Sequence, residues 1–120
     1  MSESFDEIRD VVVVGSGAGG MSAAITAAKA GLDVLLIEKS EYIGGSTAVS
    51  GGAMWVPENL HAAKAGHADT RDAAMTYLEA VLGNRLRPAM MRAFLDSGPE
   101  MGRLLMRGTA LRVRARASAP

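Results

Sequence analysis

The chain has 120 residues, 48% of them hydrophobic, and its 13 basic and 13 acidic side chains cancel at neutral pH. That balance removes the bulk electrostatic basis for nucleic acid or an anionic membrane as a partner. The lack of cysteine excludes disulfides, thiolate metal sites, a cysteine nucleophile and a cysteine tether for a cofactor, so redox chemistry here has to come from a bound group.

The acidic start Met1-Ser2-Glu3-Ser4-Phe5-Asp6-Glu7 has no apolar signal core, and the longest apolar runs fall short of a membrane span, so a cytoplasmic location is expected. Ile8 to Val14 is predicted as the first strand, its four consecutive valines suiting a parallel strand buried on both faces. Gly15, Ser16, Gly17, Ala18, Gly19 and Gly20 follow. They fit G-x-G-x-x-G, with Gly15 for the tight turn, Gly17 for close approach to a pyrophosphate and Gly20 for close packing of helix on sheet. An alanine-rich helix is expected from Gly19 or Gly20 to about Ala30, kept thin by Ala24, Ile25, Ala27 and Ala28. Its amino end turns unpaired N–H groups toward phosphate.

Gly31 ends that helix, and Leu32 to Glu38 is predicted as the second strand, centred on Val34-Leu35-Leu36-Ile37. At its end Glu38 is placed to accept hydrogen bonds from both ribose hydroxyls of an adenosine, and its charge disfavours a 2′-phosphate, which argues against NADP. Lys39 either contacts the adenosine side or balances Glu38. Strand, glycines, thin helix, second strand and terminal acid occur in order at workable spacing, which favours a dinucleotide site over a purely structural turn. A Walker loop is excluded because no Lys-Ser/Thr pair follows the glycines.

Tyr42 to Trp55 holds a second glycine cluster, with Gly44 and Gly45 before Ser46 and Thr47, and Ser50 before Gly51 and Gly52. Such a segment offers exposed N–H groups and hydroxyls that can wrap the second half of an extended dinucleotide, which favours a flavin over a simple nicotinamide site. The alternative is a glycine-rich turn whose serines cap nearby backbone. Trp55 lines a pocket or fills a core, and Pro57 restrains Val56 and closes the cluster in irregular structure.

His61 and His67 lack a local set of further ligands and are expected as polar surface residues, with no metal site. A helix capped by Asp69 or Thr70 is predicted through about Leu82, with Asp72 in its first turn, Gly83 at its end and an apolar face of Ala74, Tyr77, Leu78 and Val81. Packing of Tyr77 against Val81 is favoured over a catalytic role. Pro88 is expected to start another helix, interrupted or reset at Ser97-Gly98-Pro99, with Met101 to Met106 as a short helix ended near Gly108. Leu111 to Arg116 alternates as a strand would, its arginines on one side, and is read as a solvated edge strand or an exposed cut end rather than a nucleic-acid surface.

The run Gly15 to Gly20, then Glu38-Lys39, Gly44-Gly45-Ser46-Thr47 and Ser50-Gly51-Gly52, resembles the FAD-binding flavoproteins related to fumarate reductase and succinate dehydrogenase. The continuation through Met54-Trp55-Val56-Pro57-Glu58-Asn59, Gly66-His67-Ala68-Asp69-Thr70 and Tyr77-Leu78-Glu79-Ala80-Val81-Leu82-Gly83 is most similar to the 3-oxosteroid 1-dehydrogenase branch. The resemblance implies an α/β, Rossmann-like FAD/NAD(P)-binding fold that is incomplete, residues 1–120 being the N-terminal part of an FAD-binding domain. The substrate domain, the later flavin-binding segment and the catalytic tyrosines of the family would lie outside this chain. It implies FAD as cofactor, held by Gly15, Ser16, Gly17, Ala18, Gly19, Gly20, Glu38, Lys39, Gly45, Ser46, Thr47, Ser50, Gly51 and Gly52.

The reaction it implies is removal of hydrogens from adjacent ring carbons: a base takes a proton next to the carbonyl and flavin N5 receives hydride from the neighbouring carbon. A small apolar substrate such as a 3-ketosteroid and an external electron acceptor go with it. Fumarate reductase-like chemistry, an NAD-binding module, and a noncatalytic truncated fragment or interaction module are the alternatives.

Overall fold

The computed structural model describes residues 5–67 and 69–115, and the chain forms two compact units, Met1–Ala53 and Met54–Pro120.

In the first unit, strands β1 (Val11–Val14) and β2 (Val34–Ile37) pair in parallel, Val11 opposite Val34 and Val14 opposite Ile37, and helix α1 (Ala18–Lys29) connects them. This is the Rossmann-like βαβ arrangement that the spacing of the glycines predicts. Both strands are shorter than expected, for a visible reason. Where the ladder would extend past Val11, the Asp10 carboxylate accepts the Asp33 N–H at 2.9 Å, and the Arg9 guanidinium bridges Glu7 and Asp33 at 2.8 and 3.0 Å. The Asp33 carbonyl still accepts the Val11 N–H at 3.1 Å, but its own N–H goes to a side chain, and Ile8 to Asp10 and Leu32 to Asp33 lie outside the strands. The expectation of a first strand buried on both faces also needs correction. Val11 and Val13 are half-buried, whereas Val12 and Val14 are 54% and 80% exposed, because among the described residues α1 packs on one face of the sheet.

α1 is capped at its C-terminal end by Ala30, and Gly31 at φ +85° turns the chain into β2. The second glycine cluster contains a single helical turn, α2 (Gly45–Ala48), entered through Gly44 at φ +106°. Four residues are too few for any hydrophobic period to announce them.

The second unit is helical: α3 (Leu60–Lys64), α4 (Arg71–Leu82) and α5 (Pro88–Gly108), with a 3-10 turn at Gly83–Arg85. The Asn59 side chain caps α3 by accepting the N–H groups of His61 and Ala62, and Thr70 Oγ1 caps α4 by accepting that of Ala73 at 3.1 Å. The predicted break at Ser97-Gly98-Pro99 does not occur, and α5 runs through Pro99. An interior proline costs about 3 kcal/mol in a helix, but Leu95, Gly98, Gly102 and Leu105 are all buried along α5. Interrupting the helix would take that stripe out of register. The core also includes Val56 and Ala74.

Arg71 pairs with Asp96 at 2.6 Å, tying α4 to α5. Trp55 lies edge-on to Tyr77, centroids 5.5 Å apart, and stacks on Phe94 at 6.0 Å. Tyr77 therefore has an aromatic packing partner in Trp55. His61 Nε2 faces Met106 Sδ at 2.9 Å, and His67 is exposed. The alternating segment from Leu111 forms no strand as far as Ala115; alternation makes a strand only beside a partner, and Arg112 bonds back to the carbonyls of Thr109 and Leu111 instead. Arg116 lies outside the described residues. Among those residues, no helix is long and apolar enough to cross a membrane.

Candidate functional site

The chain must leave β1 and reverse into α1 within three residues, and Gly15 at φ +99° makes that turn in a region L side chains rarely adopt. Gly20 is required for a different reason: a Cβ there would overlap the Gly15 carbonyl, so only glycine lets α1 lie this close to the end of β1. Gly17 and Gly19 have open space where a Cβ would stand. No side chain of Gly17 is available to cap α1, and the amides of Gly19 and Gly20 have no acceptor among the described residues. The start of the helix thus presents bare backbone N–H groups and the positive end of its dipole.

Ser16 is wholly buried. Its hydroxyl donates to Glu38 Oε2 at 2.6 Å and accepts the Gly44 N–H at 2.8 Å, while its own N–H reaches the same Oε2 at 2.9 Å. The Ser40 N–H reaches the other oxygen, Oε1, at 3.1 Å. The Ser16 hydroxyl and then the amides of Ser16, Ser40 and Lys39 hold the Glu38 carboxyl down to about 2, against an ordinary value of 4.5. Glu38 is therefore a fixed, ionised acceptor at the end of β2, and Oε1 retains acceptor capacity for a donor arriving from outside.

The second glycine cluster comes up against the first. A Cβ on Gly45 would lie 3.5 Å from Gly17 Cα, an ordinary contact, and Thr47 Oγ1 accepts the Ala18 N–H at 3.2 Å. Ser50 closes its own turn, donating to the Thr47 carbonyl at 2.8 Å and accepting the Gly52 N–H at 3.1 Å, with open space at Gly51 and Gly52. Ser46 and Lys39 are exposed, and Lys39 makes no ion pair with Glu38 among the described residues. Of the residues singled out from sequence, the structure brings Gly15 to Gly20, Glu38, Gly45 and Thr47 together, whereas Ser50 and Gly52 bond only within their own turn and no contact joins Gly51 or the side chains of Lys39 and Ser46 to the cluster among the described residues. Gly44, named in the second glycine cluster but not among the residues expected to hold FAD, joins the cluster through its amide. A helix start without side chains, a glycine surface and an ionised carboxylate that accepts hydroxyl protons make a set of donors and acceptors matched to an adenosine diphosphate moiety.

Comparison with known proteins gives a consistent picture. Residues 10–118 match the family described as FAD binding domain. The 3-oxosteroid 1-dehydrogenase of Mycobacterium tuberculosis is 47% identical over 104 residues, covering 87% of this chain and 18% of that protein. The 4-oxocyclohexanecarboxylate 2-dehydrogenase of Sinomonas cyclohexanicum is 48% identical over 96 residues, covering 80% of this chain and 17% of its own length. Among solved structures, 3-ketosteroid delta1-dehydrogenase from Sterolibacterium denitrificans, in complex with 1,4-androstadiene-3,17-dione, superposes with a TM-score of 0.75 at 42% identity, over 85% of this chain and 18% of that one. The chain thus spans less than a fifth of the length of these relatives.

Proposed function

The chain belongs to the FAD binding domain family, and from that premise we propose that it forms the adenosine and pyrophosphate side of the FAD site in a longer oxidoreductase that desaturates ring ketones. The observation that carries this reading is the Glu38 carboxylate, held ionised at the end of β2 beside the glycine turn. Glu38 accepts the ribose hydroxyls, and its charge repels a 2′-phosphate. Gly15, Ser16, Gly17, Ala18, Gly19 and Gly20 form the turn that faces the pyrophosphate, with the amides of Gly19 and Gly20 as donors. Gly45, Ser46, Thr47, Ser50, Gly51 and Gly52 run alongside the rest of the flavin nucleotide, and Lys39 stands at the rim of the adenosine.

FAD, when bound, supplies the two-electron acceptor that no side chain provides. The similar proteins are named for a 3-oxosteroid and for 4-oxocyclohexanecarboxylate, both ring ketones, and this supports a 3-ketosteroid as substrate, with a smaller cyclic ketone as the second reading. A carbonyl acidifies the neighbouring C–H, so loss of that proton to a base and of a hydride from the adjacent carbon leaves a C=C bond. The base, the substrate cleft and the later flavin-binding segment belong to parts of the protein outside this chain, an external acceptor takes up the electrons, and the protein works in the cytoplasm.

Titration of the folded chain with FAD, followed by flavin fluorescence and by Trp55 emission with NAD as control, tests the site. Saturable binding selective for FAD supports it; a folded chain that binds neither, or NAD in preference, overturns it. Turnover of the complete protein on a 3-ketosteroid and on 4-oxocyclohexanecarboxylate then separates the two substrate readings.

A further inference from the structure

We propose that Ser16 is a positioning residue for cofactor recognition: its buried hydroxyl aims the Glu38 carboxylate at the ribose and locks it to the Gly44 turn, so that the two glycine segments present one surface. The proposal rests on the FAD reading above. Ser16 is the side chain with no exposed surface in a unit whose strands and glycine turns are otherwise half-buried or exposed. A serine hydroxyl has one proton to donate and lone pairs to accept with, and here the proton goes to Glu38 Oε2 while a lone pair takes the Gly44 N–H. Both partners are distant in sequence, 22 and 28 residues away, so a single oxygen connects the end of β1, the end of β2 and the entry to α2.

The other donors to the carboxylate are backbone amides, which leaves Ser16 as the side chain through which its aim is set. Alanine would remove the connection between Glu38 and Gly44 that the hydroxyl makes. The groups around Glu38 are the Ser16 hydroxyl and the amides of Ser16, Ser40 and Lys39; no charged side chain contributes to its low titration among the described residues.

The test compares the chain with Ser16→Ala, Ser16→Cys, Glu38→Gln and the double variant Ser16→Ala/Glu38→Gln. Carbon-13 NMR follows the Glu38 side-chain carboxyl through a pH titration, and fluorescence follows FAD binding. Ser16→Ala should move the Glu38 midpoint up from about 2 toward 4.5 and weaken FAD binding about tenfold at neutral pH. It should weaken binding little further when Glu38 is already glutamine, because the serine acts through the carboxylate. Ser16→Cys, close in size with a weaker donor, should fall between, and it decides the matter should the alanine variant not fold.

An unmoved midpoint, or losses that simply add in the double variant, would overturn the proposal and leave Ser16 as a space-filling residue. Should the unaltered chain bind no FAD, the FAD reading fails, and the Glu38 midpoint alone decides whether Ser16 holds the carboxylate.

Discussion

Gly19 and Gly20 are neighbours in the first turn of α1, yet alanine should act on them in opposite directions. At Gly19 a Cβ meets open space, so Gly19→Ala only restricts the unfolded chain and favours helix, a gain of about 0.5 kcal/mol. At Gly20 the same atom would overlap the Gly15 carbonyl oxygen and stand 2.9 Å from its carbon and 3.5 Å from Val13 Cγ1. The obstacle is backbone, which cannot rotate aside as a side-chain tip can. α1 must lift from the sheet, and overpacking of this kind costs about 1–3 kcal/mol. Setting the helix gain against that cost leaves Gly20→Ala less stable than Gly19→Ala by about 2 kcal/mol, a separation on the order of 10 °C in Tm. Urea and thermal denaturation of both variants, followed by far-UV circular dichroism without FAD, measures the gap. Equal stabilities would refute the claim that Gly20 is required by the close approach of helix and strand.

Three further outcomes can be checked on the same chain. Glu38 titrates at about 2 when folded against 4.5 ordinarily, so its stabilising contribution is complete above 4.5 and is lost as pH falls toward 2; urea midpoints should decline across that window, and Glu38→Gln should flatten this part of the decline. A variant whose midpoints track the unaltered chain there would contradict the assignment. Glu38→Gln should also weaken FAD binding about tenfold or more at neutral pH by replacing a charged acceptor with a neutral one, and unchanged fluorescence titrations would place the ribose elsewhere. Thr70→Ala removes the acceptor of the Ala73 N–H and should cost about 1 kcal/mol, measured by urea denaturation.

The strand–turn–helix unit is legible in the sequence because each of its glycines answers to backbone geometry. Gly15 is needed where φ is +99° and Gly20 where a Cβ has no room, and both demands recur at fixed spacing wherever a strand feeds a helix this way. The same local logic offers Asp69 or Thr70 as a cap, of which the structure uses Thr70, and marks Pro88 as a helix start. Asn59 carried an equally local signal for α3 that a five-residue helix was too short to reinforce. Pro99 misleads because its local preference is a break, while the burial of Leu95, Gly98, Gly102 and Leu105 that keeps α5 whole depends on what packs beside them.

Within the site the division is similar, and it falls between backbone and side chain. Glu38 can be assigned from its place at a strand end, but the bond from Ser16 to Gly44 joins residues 28 apart, and that from Ala18 to Thr47 joins residues 29 apart. No spacing rule connects them, since the second cluster reaches the first only after β2 has paired with β1 and carried Glu38 beside the turn. Ser16 fits its motif as any small residue would, and its particular chemistry emerges only from the three segments that meet around its oxygen. The identity of that one residue is therefore a more searching test of the site than the glycines flanking it, because a glycine turn can persist without a ligand, whereas a buried hydroxyl holding a carboxylate ionised has a measurable effect on how that carboxylate titrates and what it binds.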